Sequence, residues 1–168
     1  MKTLVVGPHA DDELLGCGGT MLKRVAEGNT VGWVLMTSIT EDKSWTKQQV
    51  LRREVEIASV CKGLGISTKD FFRLDFTPAE LDQLTSSTLI DSLSKVFKSF
   101  QPEEVFLPHP GDIHSDHRIT FEAASACTKW FRYPSVKRVL TYETLSETEF
   151  ALDHFERAFR PNLFVDIA

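Results

Sequence analysis

Several features that would place this chain in a special class are scarce or absent. Its three cysteines, Cys17, Cys61 and Cys127, are odd in number and include no CxxC pair, which indicates reduced thiols and excludes a disulfide-stapled scaffold. The net charge of -5 gives no broad basic surface for nucleic acid or anionic lipid. No apolar run approaches membrane-spanning length, and no signal sequence precedes the first strand-like run. We therefore expect a cytoplasmic protein without membrane insertion or a nucleic-acid partner.

What the sequence does contain predicts one α/β domain. A length of 168 residues with 42% hydrophobic side chains suits a single domain spanning 1–168 with a sizeable core. Short β-branched runs alternate with longer helical patterns, and this predicts strands at 3–6, 30–36, 104–107, 138–142 and 163–167. The alternation favours a Rossmann-like three-layer sandwich with a mostly parallel sheet, in which ligands bind at the carboxyl ends of the strands.

Helices are predicted between these strands, at 13–26, from Thr46 to 63–65, and from Thr77 to Phe100. Thr46 and Thr77 each begin a pattern typical of a helix start. Glycines in the first helix would let it approach another backbone closely. The second helix is expected to bury one apolar face, made of Leu51, Val55, Ala58, Cys61 and Leu64.

Two polar clusters directly follow predicted strands. The first, PHADDE at residues 8–13, places one imidazole and three carboxylates at a single turn. Such crowding raises the cost of ionisation, so the cluster is unfavourable unless a cation or a proton transfer uses it. The second, HPGDIHSDH at residues 109–117, follows the strand predicted at 104–107. Because both lie at the carboxyl ends of strands, they are expected to face one crevice.

The residue types of the two clusters fit a catalytic zinc site, which takes three protein ligands and leaves a position for water. His9 and Asp12 can supply two ligands from one turn, and His117 can supply the third from the other strand end. Asp11 points from another side of the turn and can act as the general base. Since His/Asp sites accept several divalent metals, Fe2+ is an alternative to Zn2+.

Three further residues near the proposed metal have expected roles. His114 can face the same centre, and Asp116 is close enough to orient an imidazole or hold it protonated. A charged His114 would then stabilise an oxyanion together with the metal. Glu13 is expected to begin the first helix, where the helix dipole favours its charge.

Together these residues resemble the LmbE-like, or PIG-L, deacetylases, whose members remove the acetyl group from N-acetylglucosaminyl conjugates using zinc. The resemblance rests on PHADDE after the first strand and HSDH after a later one. It extends to the segments GCGGT at 16–20, RxxE at 53–56, YE at 142–143 and PNLFVDI at 161–167.

The resemblance implies roles for the residues that match these motifs: zinc ligands His9, Asp12 and His117, general base Asp11, charge-stabilising pair His114 and Asp116, and substrate-contacting Arg53. Ala10 departs from the family, where many members have proline. The chain also stops where longer members continue into a helical segment, so we expect a compact member or a chain that lacks a C-terminal tail.

The expected reaction is metal-dependent N-deacetylation of a small N-acetyl sugar conjugate. Activated water attacks the acetamide carbonyl, Asp11 accepts the proton of the water, and Asp11 then returns a proton to the leaving amine. The aglycone and the oligomeric state stay open, and a homo-oligomer is compatible with the sequence.

Other interpretations remain at this stage. A hydrolase of another amide is one, and a phosphoesterase would want a second metal or an arginine clamp, for which only Arg53 and Arg118 are plausible. A non-enzymatic binding module would need a glycine-rich phosphate loop where Gly7 is instead followed by His and carboxylates. Arg53 lies at helical spacing from Glu56 and is equally well explained as an exposed ion pair. His109 and His154 are assigned no role.

Overall fold

The computed structural model describes residues 1–42, 44–151 and 158–168. Its helices and strands alternate as β1 (Lys2–Gly7), α1 (Asp12–Ala26), β2 (Thr30–Thr37), α2 (Lys47–Gly63), β3 (Phe71–Phe76), α3 (Ser86–Phe100), β4 (Glu104–Pro108), α4 (Ser115–Ala126) and β5 (Arg138–Tyr142). His154 lies outside the described residues. Within the described ranges, no helix is long and apolar enough to cross a membrane.

The five strands form one parallel sheet in the order β3-β2-β1-β4-β5. β2 and β3 are added in turn on one side of β1, and β4 and β5 are then added on its other side. The connections that leave β1 and β4 therefore diverge to opposite faces of the sheet, which opens a crevice at the carboxyl ends of these two strands. The predicted parallel α/β sheet is confirmed, and both polar clusters follow the strands that flank this crevice.

Two hydrophobic layers cover the sheet. On one face, Leu4 and Val6 of β1 pack in a cluster with Phe97 of α3 and with α4. On the other face, Val5 lies in a cluster with Met21 of α1 and with α2. Since successive side chains of a strand point to opposite faces, this alternation along β1 anchors both layers and gives the predicted three-layer sandwich.

Two predicted element positions are wrong. Residues 163–167 do not form a strand, because this segment packs over α1, where a Cβ on Gly19 would lie 2.8 Å from Cδ1 of Ile167. The helix predicted from Thr77 begins only at Ser86 with Thr85 as its cap. Ala79 has a positive φ of 59°, which interrupts a helix at that point.

The sequence interpretation also missed β3 and misplaced the buried face of α2. Leu51 and Val55 are 57% and 66% exposed, and Ile57 is the buried residue of the helix. The predicted close approach of α1 to another backbone does occur at Gly16, where a Cβ would lie 2.9 Å from the backbone oxygen of Glu143 and would overlap the Tyr142 ring. The hydroxyl of Tyr142 donates a 2.8 Å hydrogen bond to the carbonyl of Val6, which ties β5 to the end of β1.

Candidate metal centre and adjoining cavity

The turn between β1 and α1 positions the first cluster. Asp11 caps α1, and its backbone carbonyl accepts hydrogen bonds from the next turn of the helix. The backbone N–H of His9 donates to Oδ2 of Asp12 at 2.8 Å, which closes the turn on itself. The Asp12 side chain is thereby directed inward and buried, whereas Asp11 is exposed.

The start of α4 positions the second cluster. His114 is the N-cap residue, and its Nδ1 accepts a 3.1 Å hydrogen bond from the backbone N–H of Asp116. The helix that starts there turns Asp116 and His117 into the protein, where both are fully buried. A histidine cap therefore fixes the direction of the two residues that follow it.

The two clusters meet at Asp12. Nε2 of His117 lies 3.3 Å from Oδ2 of Asp12, and Nδ1 of His9 lies 3.4 Å from the same oxygen. Ligand-type atoms of these three residues all lie within 4.8 Å of one another. The structure thus brings together the residues expected to bind metal, and Asp11 is not among them.

These residues fit a divalent cation on their own geometry. Nε2 of His117 is buried and has no hydrogen-bond partner among the described residues. Its other ring nitrogen, Nδ1, is engaged with Oδ2 of Asp112 at 2.8 Å. A buried polar atom without a partner is costly, and here it faces a carboxylate and a second imidazole, which is the donor set that zinc or a related ion takes.

Asp112 belongs to the candidate site by its contacts, and sequence reasoning missed it. It orients His117 through Nδ1, while its Oδ1 accepts a 2.7 Å hydrogen bond from Thr148. A carboxylate behind a ligating histidine fixes its tautomer and ring orientation. The short spacing of five residues between Asp112 and His117 could have indicated this pair from the sequence. Thr148 lies 36 residues beyond Asp112, and no sequence pattern links the two.

Asp116 lies against a different histidine from the one expected. Its Oδ2 is 3.1 Å from Nε2 of His9, and the same oxygen accepts a 2.7 Å hydrogen bond from the backbone N–H of Ala79. Oδ1 accepts a longer bond, 3.4 Å, from Leu81. This carboxylate therefore orients His9 and holds the segment before α3. A carboxylate oxygen of Asp116 also lies within 4.8 Å of a ring nitrogen of His114, so the predicted neighbours do meet.

The electrostatics of the cluster favour positive charge. Burial alone would lower the pKa of His9 and His117, but their hydrogen bonds to carboxylates outweigh it and raise each pKa to about 9. Burial acts upward on Asp12, yet the imidazoles of His117 and His9, which lie 3.3 and 3.4 Å from its Oδ2, hold the pKa of this carboxyl well below its usual range. Because a cation competes with these protons, its binding would release them.

His114 was expected to carry charge, and its surroundings act against that charge. Burial, reinforced by the nearby His9, lowers the pKa of His114 below its ordinary value. Its Nδ1 also acts as a hydrogen-bond acceptor, so the ring proton belongs on Nε2. The ring therefore has one N–H, on Nε2, to donate toward the site.

Glu13 lies in the first turn of α1, as expected, but its environment does not favour a charged carboxylate. Its side chain is fully buried, and neither carboxyl oxygen has a partner among the described residues. Burial, helped by Asp12 and Asp11, raises the pKa of Glu13 to about 8. The group is therefore largely a neutral carboxylic acid near pH 7, and the helix dipole is not what sets its charge.

A cavity of about 150 Å3 opens beside the metal cluster. His9 and Asp11 line one part of it, and Arg53 of α2 lines it as well. Nη1 of Arg53 donates a 3.0 Å hydrogen bond to the carbonyl of Ala10, and Nε lies 3.6 Å from Glu56. Arg53 is thus ion-paired with Glu56 and hydrogen-bonded to the turn that carries His9 and Asp12. It also lies at the edge of a cavity that a substrate could occupy.

A family model described as PIG-L, GlcNAc-PI de-N-acetylase, matches residues 4–128 of this chain. A diacetylchitobiose deacetylase of Thermococcus kodakarensis is 27% identical over 174 residues, a match that covers 99% of this chain and 64% of the relative. A deacetylase of Escherichia coli strain K12 is 28% identical, with 85% of this chain and 74% of that protein covered.

One solved structure of similar fold is an N,N'-diacetylchitobiose deacetylase from Pyrococcus horikoshii in complex with an inhibitor. Its identity to this chain is 29% and the TM-score is 0.66, with 81% of this chain and 52% of that chain covered. This chain therefore spans less than two thirds of the length of the two diacetylchitobiose deacetylases.

Proposed function

This chain belongs to the PIG-L family, and from that premise we propose that it is a metal-dependent N-deacetylase acting on an N-acetylglucosaminyl-type conjugate. One observation carries the proposal. Nε2 of buried His117 makes no hydrogen bond to any described residue and faces Asp12 and His9, and the exposed carboxylate of Asp11 lines the cavity beside them. The diacetylchitobiose deacetylases to which the chain is similar support the same substrate class.

In this proposal His9, Asp12 and His117 hold the metal, with zinc preferred and Fe2+ as the alternative. A divalent ion bound there supplies Lewis-acid polarisation and a more acidic water. Asp112 holds the ring of His117, and Asp116 holds the ring of His9. The two carboxylates are positioning residues, since each acts through a ligand and not on the substrate.

Asp11 serves as the general base because it lies at the same turn as two proposed ligands but outside the ligand set. It accepts a proton from the water that attacks the acetamide carbonyl. It then delivers a proton to the nitrogen of the leaving amine, and acetate and a free amine result.

His114 donates its Nε2–H to the oxyanion that forms when the carbonyl is attacked. The hydrogen bond from the backbone N–H of Asp116 to Nδ1 fixes the ring with that Nε2–H available. Arg53 keeps the turn in place through Ala10 and contacts the substrate in the cavity.

The test is release of amine and acetate from N-acetylglucosamine and N,N'-diacetylchitobiose by zinc-loaded protein. We expect equal amounts of the two products, loss of the reaction with a chelator, and recovery when zinc is restored. p-Nitrophenyl phosphate is the comparison substrate. No release from any N-acetyl sugar by protein of verified metal content would refute the substrate class, and phosphate release alone would indicate a phosphoesterase.

A further inference from the structure

The sheet has two outer strands, β3 and β5, and their edges differ. β3 carries two charged residues, Arg73 and Asp75, and its register against β2 shifts between Leu35 and Thr37. Asp75 also has a positive φ of 53°. Charged side chains and a local irregularity are two of the features that keep an outer strand from pairing with another chain. The edge of β3 is therefore protected.

The edge of β5 lacks this protection. Its sequence, RVLTY, contains no proline, and its register against β4 is regular from Arg138 to Tyr142. The one charged side chain, Arg138, is hydrogen-bonded back to buried Glu104. Within the described ranges of the chain, no backbone group pairs with the outer edge of the strand. An edge of this kind is a template for pairing with a further strand.

Exposed apolar side chains lie beside this edge. Val139 is 42% exposed, and a groove of about 850 Å3 next to the strand is lined by Val139, Leu163 and Phe164 among others. The Phe164 ring is 81% exposed. Grouped apolar side chains on a surface are typical of a protein contact. Backbone and side chains at β5 therefore both favour a protein partner.

The two residues that flank β5 carry opposite charges. Lys137 directly precedes the strand and Glu143 directly follows it, and both are exposed. Nζ of Lys137 donates one hydrogen bond, to the carbonyl of Pro134 at 2.6 Å, and an ammonium group has two more to give. A strand with a cation at one end and an anion at the other is complementary to an antiparallel copy of itself.

The pairs that such a copy would make can be read from the sequence. With a two-fold axis through Leu140, Lys137 lies opposite the partner's Glu143. In the same register, Val139 lies opposite the partner's Thr141. Opposite charges and β-branched side chains are favourable when they face each other across an antiparallel ladder. Moving the axis by one residue in either direction loses both ion pairs, so the charges select a single register.

We propose that the outer edge of β5 is a homodimer interface, in which residues 137–143 of two copies pair antiparallel and join the two sheets. A two-fold contact uses the same surface on both copies, so this surface has to complement itself. The segment from Lys137 to Glu143 meets that condition. The interface lies apart from the metal cluster, and the proposal is independent of the proposed function.

The experiment is analytical ultracentrifugation over a concentration series at low ionic strength. The wild type should form a dimer that dissociates on dilution. Lys137→Glu places like charges at both ends of the paired strands and should raise the Kd by about tenfold, and Glu143→Lys should do the same. The combined variant Lys137→Glu/Glu143→Lys restores opposite charges and should recover the wild-type Kd. Lys69→Glu, an equal change of net charge beside β3, is the matched control.

A cross-link tests the register. Leu140→Cys should form a disulfide between the two copies under mild oxidation, because residues opposite each other in an antiparallel pair have Cα atoms about 4.5 to 5.5 Å apart. Thr141→Cys lies two residues out of step with its own copy and should cross-link far less. A protein that is monomeric at every concentration would overturn the proposal. A dimer that neither charge reversal weakens, or that the combined variant fails to restore, would overturn it as well.

Discussion

Buried carboxylates lie at both ends of the sheet, but their hydrogen bonding differs. At the amino end, Glu104 of β4 is fully buried, and its oxygens accept hydrogen bonds from Thr3 at 3.0 Å, from Nε of Arg24 at 2.9 Å and from Arg138. At the carboxyl end, Asp12 faces His117, whose Nε2 makes no hydrogen bond within the part of the chain that the structure describes. The first group is complete within the chain, whereas the second offers an atom to something outside it.

This difference separates a structural cluster from a binding cluster. A buried charge with all of its hydrogen bonds made contributes to the folded state and needs no ligand. A buried donor set with an unmatched atom costs stability by itself and recovers it when a cation binds. Changes at the carboxyl end should therefore alter metal content and rate, and changes at the amino end should alter the free energy of unfolding.

The largest effect is expected for His117→Ala. This change removes a proposed ligand, so metal content should fall from about one ion per chain to near zero and deacetylation should be abolished. Metal analysis and rate measurement on the same preparation check it. The contrast between the two ends would be broken by a variant that keeps its metal and its activity.

Asp11→Asn should leave the metal in place and still lower activity by roughly a hundredfold or more, because a positioned general base contributes about 10²- to 10⁴-fold. The side-chain volume is kept, but an amide cannot accept the proton of water. Parallel measurements of bound metal and kcat test the assignment. Loss of metal, as in His117→Ala, would make Asp11 a ligand, and normal turnover would remove it from the reaction.

Glu104→Ala should destabilise the fold by about 3 kcal/mol, since Arg24 would lose a buried partner. Metal per folded chain and kcat should stay at the wild-type level. Denaturant unfolding gives the stability, and a variant with normal stability but reduced metal binding would reverse the roles of the two ends.

The pH dependence of stability sharpens the same contrast. Burial would raise the pKa of Glu104, but hydrogen bonds from Arg24, Arg138 and Thr3 outweigh it and lower the pKa below its ordinary value. A carboxyl with a depressed folded-state pKa stabilises the protein above its unfolded pKa of about 4.3, and this contribution is lost as the pH falls through the folded value. The Glu104→Ala penalty should therefore be full at pH 7 and shrink in acid.

The smallest effect is expected for Asp112→Asn, which keeps the ligands and changes only the group behind His117. Metal affinity should fall by about 10- to 100-fold, as is usual for a carboxylate that orients a ligating histidine. Competition with a chelator of known affinity measures this. Thr148→Val removes the hydrogen bond to Asp112 and should also weaken metal affinity, by a smaller factor. Unchanged metal affinity in both variants would contradict the proposal that Thr148 and Asp112 position His117.

The sequence predicted the sheet and the meeting of the two clusters because each cluster directly follows a buried, β-branched strand. β1 and β4 are buried along nearly their whole length, and a parallel sheet then brings their ends together. β3 was missed because two charged residues, Arg73 and Asp75, interrupt the apolar pattern of its sequence FFRLDF. The face of α2 was misjudged because periodicity shows that a helix has an apolar stripe and not what covers it.

The site itself could be predicted only as far as neighbouring residues determine it. His9 and Asp12 share a turn, and so do His114, Asp116 and His117, which is why these were found. Which carboxylate supports which histidine depends on contacts between distant segments. Asp116 reaches His9 across 107 residues, and Thr148 reaches Asp112 across 36. No local pattern encodes pairings of that range.

The pairing of β1 with β4 has a consequence for how the protein folds. Thr3 and Glu104 are hydrogen-bonded although 101 positions separate them in the chain. The long loop between them must therefore close before the strands align, and its conformational entropy is lost before the strand contacts form. Long-range parallel pairing is slow for this reason. The two halves of the metal cluster lie at the ends of these same strands, so they come together only when that step is complete. Capture of a metal ion during refolding would therefore mark the last event of assembly, and its rate would report the kinetics of the slowest strand pairing.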